Sequence, residues 1–216
     1  GWTAFMWACL NGDKDVVRLL LDHSKRIEPN ARSNGGWTAF LIACSYGHKE
    51  VVKLLLDHSE RIDLNARKNF GDTALILACE NGHKDVVQLL LDHSERIELN
   101  ARDNREKTAF VRACENGHTN VVKLLLDHSD SKNIELNARS NQGSTALMMA
   151  CNNGHKDVVQ LLLNHSNPRI EINAKDDNDT TAFIMACKKG HKDIVKLLLE
   201  RSDIDISAGT ETFQEN

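Results

Sequence analysis

The sequence predicts an all-α solenoid of stacked helix-turn-helix units joined by hairpin-like loops, and three observations predict it. First, the phrase T-A-[FL]-x-x-A-C opens at Thr3, Thr38, Thr73, Thr108, Thr145 and Thr181, at spacings of 35, 35, 35, 37 and 36 residues. A fixed period in this range marks an array of structural repeats. Second, in each period two apolar patterns of helical spacing flank a glycine that is present in every copy. Third, the copies are close: the 35-residue blocks from Thr38 and from Thr73 differ at 12 positions. A unit this small cannot bury its apolar face alone, so neighbouring units must stack.

The repeat from Thr38 shows why each element forms. Thr38 is a good N-cap, and Phe40, Ala43, Cys44 and Gly47 fall at i, i+3, i+4 and i+7, which gives a short helix one apolar face. Ala39, Ile42 and Tyr46 share a second stripe. Gly47 ends the helix as the residue free to take a left-handed conformation. His48 stands where Asp13 stands in the first repeat, at the N-cap of a second helix. On that helix Val51, Val52, Leu54, Leu55 and Leu56 are apolar, whereas Lys49, Glu50, Lys53 and Asp57 share the solvated face. Arg61-Ile62-Asp63-Leu64-Asn65 then alternates apolar and polar, which reads as extended chain, and a variable tip leads to the next threonine. Eight residues separate Leu56 from Asn65 and ten separate Leu126 from Asn137, so the length variation sits in one loop. It is read as slack tolerated at small entropic cost in preference to a distinctive ridge.

Residues 1-216 are expected to form a single array, with an irregular tail over 203-216. The first unit keeps Phe5, Ala8, Cys9, Val16, Val17 and Leu20 in ordinary internal registers and lacks a polar cap, so end-to-end association accompanies the expected monomer. A net charge of -4 without a basic block or acidic tail argues against nucleic acid as a partner, and no apolar run approaches the roughly 20 residues of a membrane span.

The six cysteines hold one equivalent position per repeat, from Cys9 and Cys44 through Cys79, Cys114 and Cys151 to Cys187. Packed helices lie about 8 to 10 Å apart, beyond the roughly 7 Å limit for a disulfide, so these are expected to be small core residues with free thiols. That favours the cytoplasm or the nucleus. Each cysteine has a histidine four residues on, except in the first repeat, but a glycine interrupts every pair and only two ligands arise per repeat. No metal site is expected. His23, His58, His93, His128 and His165 fall near the ends of second helices, where a partly charged ring suits the helix dipole. No phosphate-cradling loop or nucleophile elbow is present, so neither an enzyme nor a cofactor is expected.

Helix, Gly-His turn, helix, and a loop ending N-A-R before the next threonine together resemble ankyrin repeats over essentially the whole chain. Two departures stand out. Where that family usually carries T-P-L-H-x-A-A, this chain has Ala for Pro, an apolar residue for His and Cys for the second Ala, and its loops are longer.

The resemblance implies a protein partner held in a groove lined by hairpin tips and first helices. The repeats disagree in these registers, and all three tryptophans and the only tyrosine occur there. Trp2, Trp7, Trp37, Tyr46 and Phe70 are the expected anchors, continued by Arg105 and Arg112, because Trp, Tyr and Arg dominate binding hot spots. For Trp7, Ile42 and Leu77 the alternative is packing between adjacent first helices. Two other readings of function stand beside the scaffold: a passive array cut from a larger protein or engineered from near-identical units, and a substrate role. Asn65, Asn100, Asn137 and Asn173 each follow an acidic residue and Leu or Ile, as do ankyrin asparagines that oxygen-dependent hydroxylases modify.

Overall fold

The computed structural model describes residues 1–23, 27–165 and 170–207. Among these, the helices come in pairs that follow the repeats: α1 (Ala4–Asn11) with α2 (Lys14–Asp22), α3 (Ala39–Ser45) with α4 (Lys49–Asp57), and α5 (Ala74–Glu80) with α6 (Lys84–Asp92). Then come α7 (Ala109–Glu115) with α8 (Thr119–Asp127), the single turn α9 (Ser129–Lys132), α10 (Ala146–Asn153) with α11 (Lys156–Asn164), and α12 (Ala182–Lys189) with α13 (Lys192–Leu199). They group into two compact units, Gly1–Asn104 and Arg105–Asn216. In the first unit α1, α3 and α5 stack in one layer and α2, α4 and α6 in another. In the second, α7, α10 and α12 form the layer of first helices and α8, α11 and α13 that of second helices.

Each first helix starts on its threonine. Thr38 is extended, and its hydroxyl accepts from the Leu41 N–H at 3.3 Å. Thr3, Thr73, Thr108, Thr145 and Thr181 accept in the same way from the residue three places on. A cap of this kind contributes about 1 kcal/mol by giving an orphan N–H a partner. The helix interior is then almost wholly apolar, and Ala39, Phe40, Leu41, Ile42, Ala43 and Cys44 are all buried.

The Gly-His turn departs from the expectation in an informative way. His48 occupies the N-cap position of α4, but its side chain makes no cap bond, whereas Asp13 in the first repeat caps the Val16 N–H at 3.0 Å. The ring instead reaches back across the preceding repeat, where Nε2 donates to the Leu10 carbonyl at 2.7 Å. A carbonyl only accepts, so Nε2 carries the proton. His83 reaches Ser45 O at 2.9 Å in the first unit, and in the second His155 reaches Glu115 O at 2.9 Å and His191 reaches Asn152 O at 3.2 Å. Gly47 is fixed twice over by this arrangement. Its φ is +74°, and a Cβ there would lie 2.5 Å from Nδ1 of His83.

Second helices bury Val51, Val52, Leu54, Leu55 and Leu56, while Lys49, Glu50, Lys53 and Asp57 stay in water. They end on His23, His58, His93 and His128, whose Nδ1 lies 2.8–2.9 Å from the carbonyl four residues back. The C-terminal carbonyl therefore receives a ring N–H. His165 takes an extended conformation and leaves this pattern.

The loop after α4 is not the extended segment that alternation suggested. Residues 61–62 form a bend and 64–65 a turn, and among the described residues there is no strand. Ile62 and Leu64 are nonetheless buried, because turns present alternate side chains to the core here as a strand would. The hairpin-like character lies further on, at the tip, where Ser33 N–H donates to Trp37 O at 2.9 Å and Gly36 N–H to Ser33 O at 2.9 Å. In the fourth repeat the two extra loop residues are taken up in α9, where Ser129 is buried and donates to Leu126 O at 2.8 Å.

Five cysteines are buried as expected and all six are free, but Cys187 is exposed. No described element covers that face of α12, which accounts for the difference. Burial pushes the Cys9 and Cys151 thiols up to about 12. Cys44 is raised well above the ordinary value, first by burial and then by neighbouring Cys9. Of the expected tail, residues 203–207 are tied to the array, since Asn173 Nδ2 donates to Asp203 O at 2.7 Å and Asp205 N–H to Asn173 Oδ1 at 2.9 Å. Residues 208–216 lie outside the described residues.

Candidate functional site

In the first unit the tips of successive repeats are laced to one another. Asn69 N–H donates to Gly35 O at 3.1 Å, Asn69 Nδ2 to Asn34 O at 2.9 Å, and Asn104 N–H to Phe70 O at 3.0 Å. Side chains on these tips are thus carried by a hydrogen-bonded backbone. Phe70 is 71 % exposed and Trp2 41 %. Trp2 and Trp7 meet with ring centroids 5.1 Å apart at an interplanar angle of 40°, and Trp7 is 52 % exposed. Trp7 does not share the fate of its register mates, because Ile42 and Leu77 are fully packed between first helices.

Trp37 is half-buried, unlike the other tip aromatics. Lys68 holds it down: Nζ lies 4.9 Å from the ring centroid and 3.1 Å from Asp72 Oδ2, so one ammonium serves a carboxylate and an aromatic face together. Tyr46 is 57 % exposed, and its ring lies parallel to His48 with centroids 6.3 Å apart. The expected stripe of Ala39, Ile42 and Tyr46 does not face solvent as a whole. Ala39 and Ile42 are buried, and only the C-terminal end of the first helix, where Tyr46 sits, is open.

In the second unit Arg105 is exposed at its tip, and its carbonyl accepts from the Asn141 N–H at 2.9 Å. Arg112 is half-buried on α7 and reaches Glu115 Oε2 at 3.4 Å, while Lys107 reaches Glu115 Oε1 at 2.7 Å. Arg112 is thereby held by its own helix. Met149 and Met185, in the same register, are half-buried.

The loop asparagines have a use that the sequence did not disclose. Asn65 Nδ2 donates to Arg96 O and Asn65 Oδ1 accepts from the Glu98 N–H, both at 2.9 Å. Asn30 bridges Arg61 O and the Asp63 N–H in the same manner. Each amide thus joins its own loop to the next through both of its ends. A recurring His and a recurring Asn at one period, each in five of the six copies, were the available signals, since an identical polar residue kept from copy to copy points to a contact between copies.

The second unit also has a shallow depression of about 430 Å³ lined by Asn137, Ile170, Glu171, Ile172, Asn173, Ala174 and Asp203. Asn137 and Asn173 already serve as bridges there, with Glu171 N–H on Asn137 Oδ1 at 3.0 Å. Among the described residues, no group of three or more His, Cys, Asp or Glu side chains could hold a metal ion. No helix among the described residues is long and apolar enough to cross a membrane. A family model described as ankyrin repeats matches the chain in three copies, over residues 1–68, 60–139 and 130–209. A comparison with curated proteins found none that matches the chain.

Proposed function

The chain belongs to the ankyrin-repeat family, and on that premise we propose that it is a scaffold that binds a protein partner through its hairpin tips and the open ends of its first helices. The observation that carries the reading is the exposure of Trp2, Trp7, Tyr46 and Phe70 in the first unit, all in registers where the repeats differ. Large aromatic rings gain most from burial against a partner and lose little rotamer freedom when fixed. Trp37 contributes the edge left open by Lys68. In the second unit the exposed Arg105 adds a positive charge at its tip, and Arg112 supports Glu115 on α7. The scaffold performs no chemistry, needs no cofactor, and its free thiols suit the cytoplasm or nucleus.

Affinity capture followed by quantitative mass spectrometry tests this reading. Proteins retained by the wild type should be lost from Tyr46→Ala/Phe70→Ala and kept by Lys53→Ala, on the opposite solvated face. Capture that ignores both aromatic truncations would refute it. The substrate reading of Asn65 and Asn173 is less favoured, because both ends of each amide are engaged in the loop ladder. A single added oxygen at those residues, seen by mass spectrometry, would revive it.

A further inference from the structure

The sequence contains five Asn–Gly pairs, at 11–12, 34–35, 81–82, 116–117 and 153–154. Such a pair can close on itself, because glycine has no Cβ to keep its nitrogen from the side-chain carbon of the preceding asparagine. Four of the pairs end first helices, and there the fold opposes closure. The N–H groups of Gly12, Gly82 and Gly117 donate to the Cys9, Cys79 and Cys114 carbonyls at 3.3–3.4 Å, and that of Gly154 donates to the Ala150 carbonyl. Asn81 and Asn116 sit at ψ 0° and 1°, which turns the following nitrogen away from their own side chains. Their amides are also occupied. Nδ2 of each donates at 2.9 Å to the carbonyl four residues back, and Asn153 Nδ2 donates to Glu115 O at 2.8 Å.

Asn34–Gly35 is placed differently. The pair forms the two central residues of the tip before Thr38, a turn closed by the Gly36 N–H on Ser33 O at 2.9 Å. Both residues are exposed, and among the described residues nothing accepts from the Gly35 N–H or from Asn34 Nδ2. Asn34 Oδ1 accepts from the Gly1 N–H at 3.2 Å, which leaves Nδ2 and Cγ open. The exposure belongs to the register, since Asn69, Asn104, Asn141 and Asp177 are exposed at the same place in the later copies. Only at this tip is the next residue a glycine.

We propose that Asn34–Gly35 is a self-modification site, at which the folded chain converts its own asparagine with water as the sole co-reactant. The Gly35 nitrogen gives up its proton to hydroxide and attacks Asn34 Cγ. A C–N bond forms and closes a cyclic imide, the Cγ–Nδ2 bond breaks, and ammonia leaves. Water then opens the imide at either carbonyl, which leaves an aspartate or an isoaspartate at position 34. Either product places a negative charge where the tip had none. The fold already holds an aspartate in this register, because Asp177 keeps its N–H on Gln142 O at 3.1 Å. An isoaspartate acts otherwise: it routes the chain through the side-chain carbon and adds a backbone atom inside the turn. Asn69 donates from its N–H to Gly35 O at 3.1 Å and from Nδ2 to Asn34 O at 2.9 Å, so the isoaspartate loosens the link between this tip and the next, where Trp37 and Phe70 are carried.

Peptide mapping by mass spectrometry, after storage of the chain in mildly alkaline buffer, tests this. In the native chain the exchange of amide for carboxylate should concentrate at Asn34, with the four helix-end asparagines reacting several-fold more slowly. In urea all five should react at comparable rates, because the fold and not the dipeptide makes the choice. Gly35→Ala should slow the native reaction several-fold. Its Cβ would lie 3.2 Å from Trp37 Cδ1, so circular dichroism checks that the variant keeps its helices. Asn34→Gln, which lengthens the side chain and leaves Gly35 in place, serves as the second variant and should remove the modification. A native chain whose Asn34 stays intact while it reacts in urea overturns the proposal. So does native reaction at any helix-end asparagine as fast as at Asn34, or an undiminished rate in Gly35→Ala. The readout is covalent and needs no partner, so failure here leaves the partner-binding reading standing.

Discussion

Gly47→Ala measures how the turns lock adjacent repeats. The residue sits at φ +74°, and the added Cβ would lie 2.5 Å from Nδ1 and 2.8 Å from Cε1 of His83. An L-residue in the left-handed region costs about 1–2 kcal/mol, offset by about 0.4–1 kcal/mol because alanine restricts the unfolded chain. The conformational part is therefore about 1 kcal/mol. The ring must also leave, which breaks the His83 Nε2 bond to Ser45 O at 2.9 Å and removes about 1 kcal/mol more. Together the substitution should destabilise by about 2 kcal/mol.

In a His83→Ala background the ring is already gone, so Gly47→Ala should cost only its conformational part, about 1 kcal/mol. The double-mutant cycle should then return a coupling of about 1 kcal/mol, read from urea midpoints at unchanged m-value. Additivity within about 0.5 kcal/mol would refute the claim that the glycine is required by the ring as well as by its backbone angle. Gly190→Ala supplies the companion case, because its φ is +71° and nothing lies within 4 Å of the added Cβ.

Other outcomes follow from the same geometry. Asn65→Ala removes two bridging bonds and should lower stability by about 1–2 kcal/mol, near the low end of two net hydrogen bonds because water can reach the loop; a neutral effect by urea titration would show that the ladder contributes nothing. Native protein should present one fast-reacting thiol to a disulfide reagent, lost in Cys187→Ser, with the remainder reacting only on unfolding; several fast equivalents would contradict the burial. Buried thiols also set an alkaline limit. Cys9 is neutral in the folded state up to about 12, against an ordinary value of 9.0, so the unfolded chain loses its proton first. Stability is fully present below pH 9.0, and it declines as pH rises toward about 12. Cys44 is raised in the same direction, and Cys44→Ala should flatten the decline by up to about 1.4 kcal/mol per pH unit; an unchanged slope would sink the assignment.

Most of the fold was legible because the chain states it six times. Threonine caps, apolar spacing and turn glycines are local signals, and each produced the helix boundary it implied, as Thr38 and Gly47 show. Arg61–Asn65 misled because two-residue alternation describes which side chains are buried without fixing the backbone that buries them. The candidate site was legible only in part. Sequence registers distinguished Tyr46 and Phe70 as variable, but could not show that Lys68 would cover Trp37 or that Ile42 would be packed while Trp7, in the same register, would be open. Those outcomes depend on which neighbour stands beside a position, and a single repeat does not contain its neighbour. The histidine and asparagine bridges were missed for the same reason: the two partners of each bond stand in different copies.

Affinity of the captured partner for Tyr46→Ala/Phe70→Ala, measured by titration calorimetry beside the wild type and Lys53→Ala, tests the partner-binding surface most directly. Two aromatic anchors at about 2 kcal/mol each should together weaken binding by about a thousandfold, while Lys53→Ala stays within a few-fold of wild type. A double variant that folds normally and binds with undiminished affinity would contradict the assignment of the tips and helix ends as the partner site.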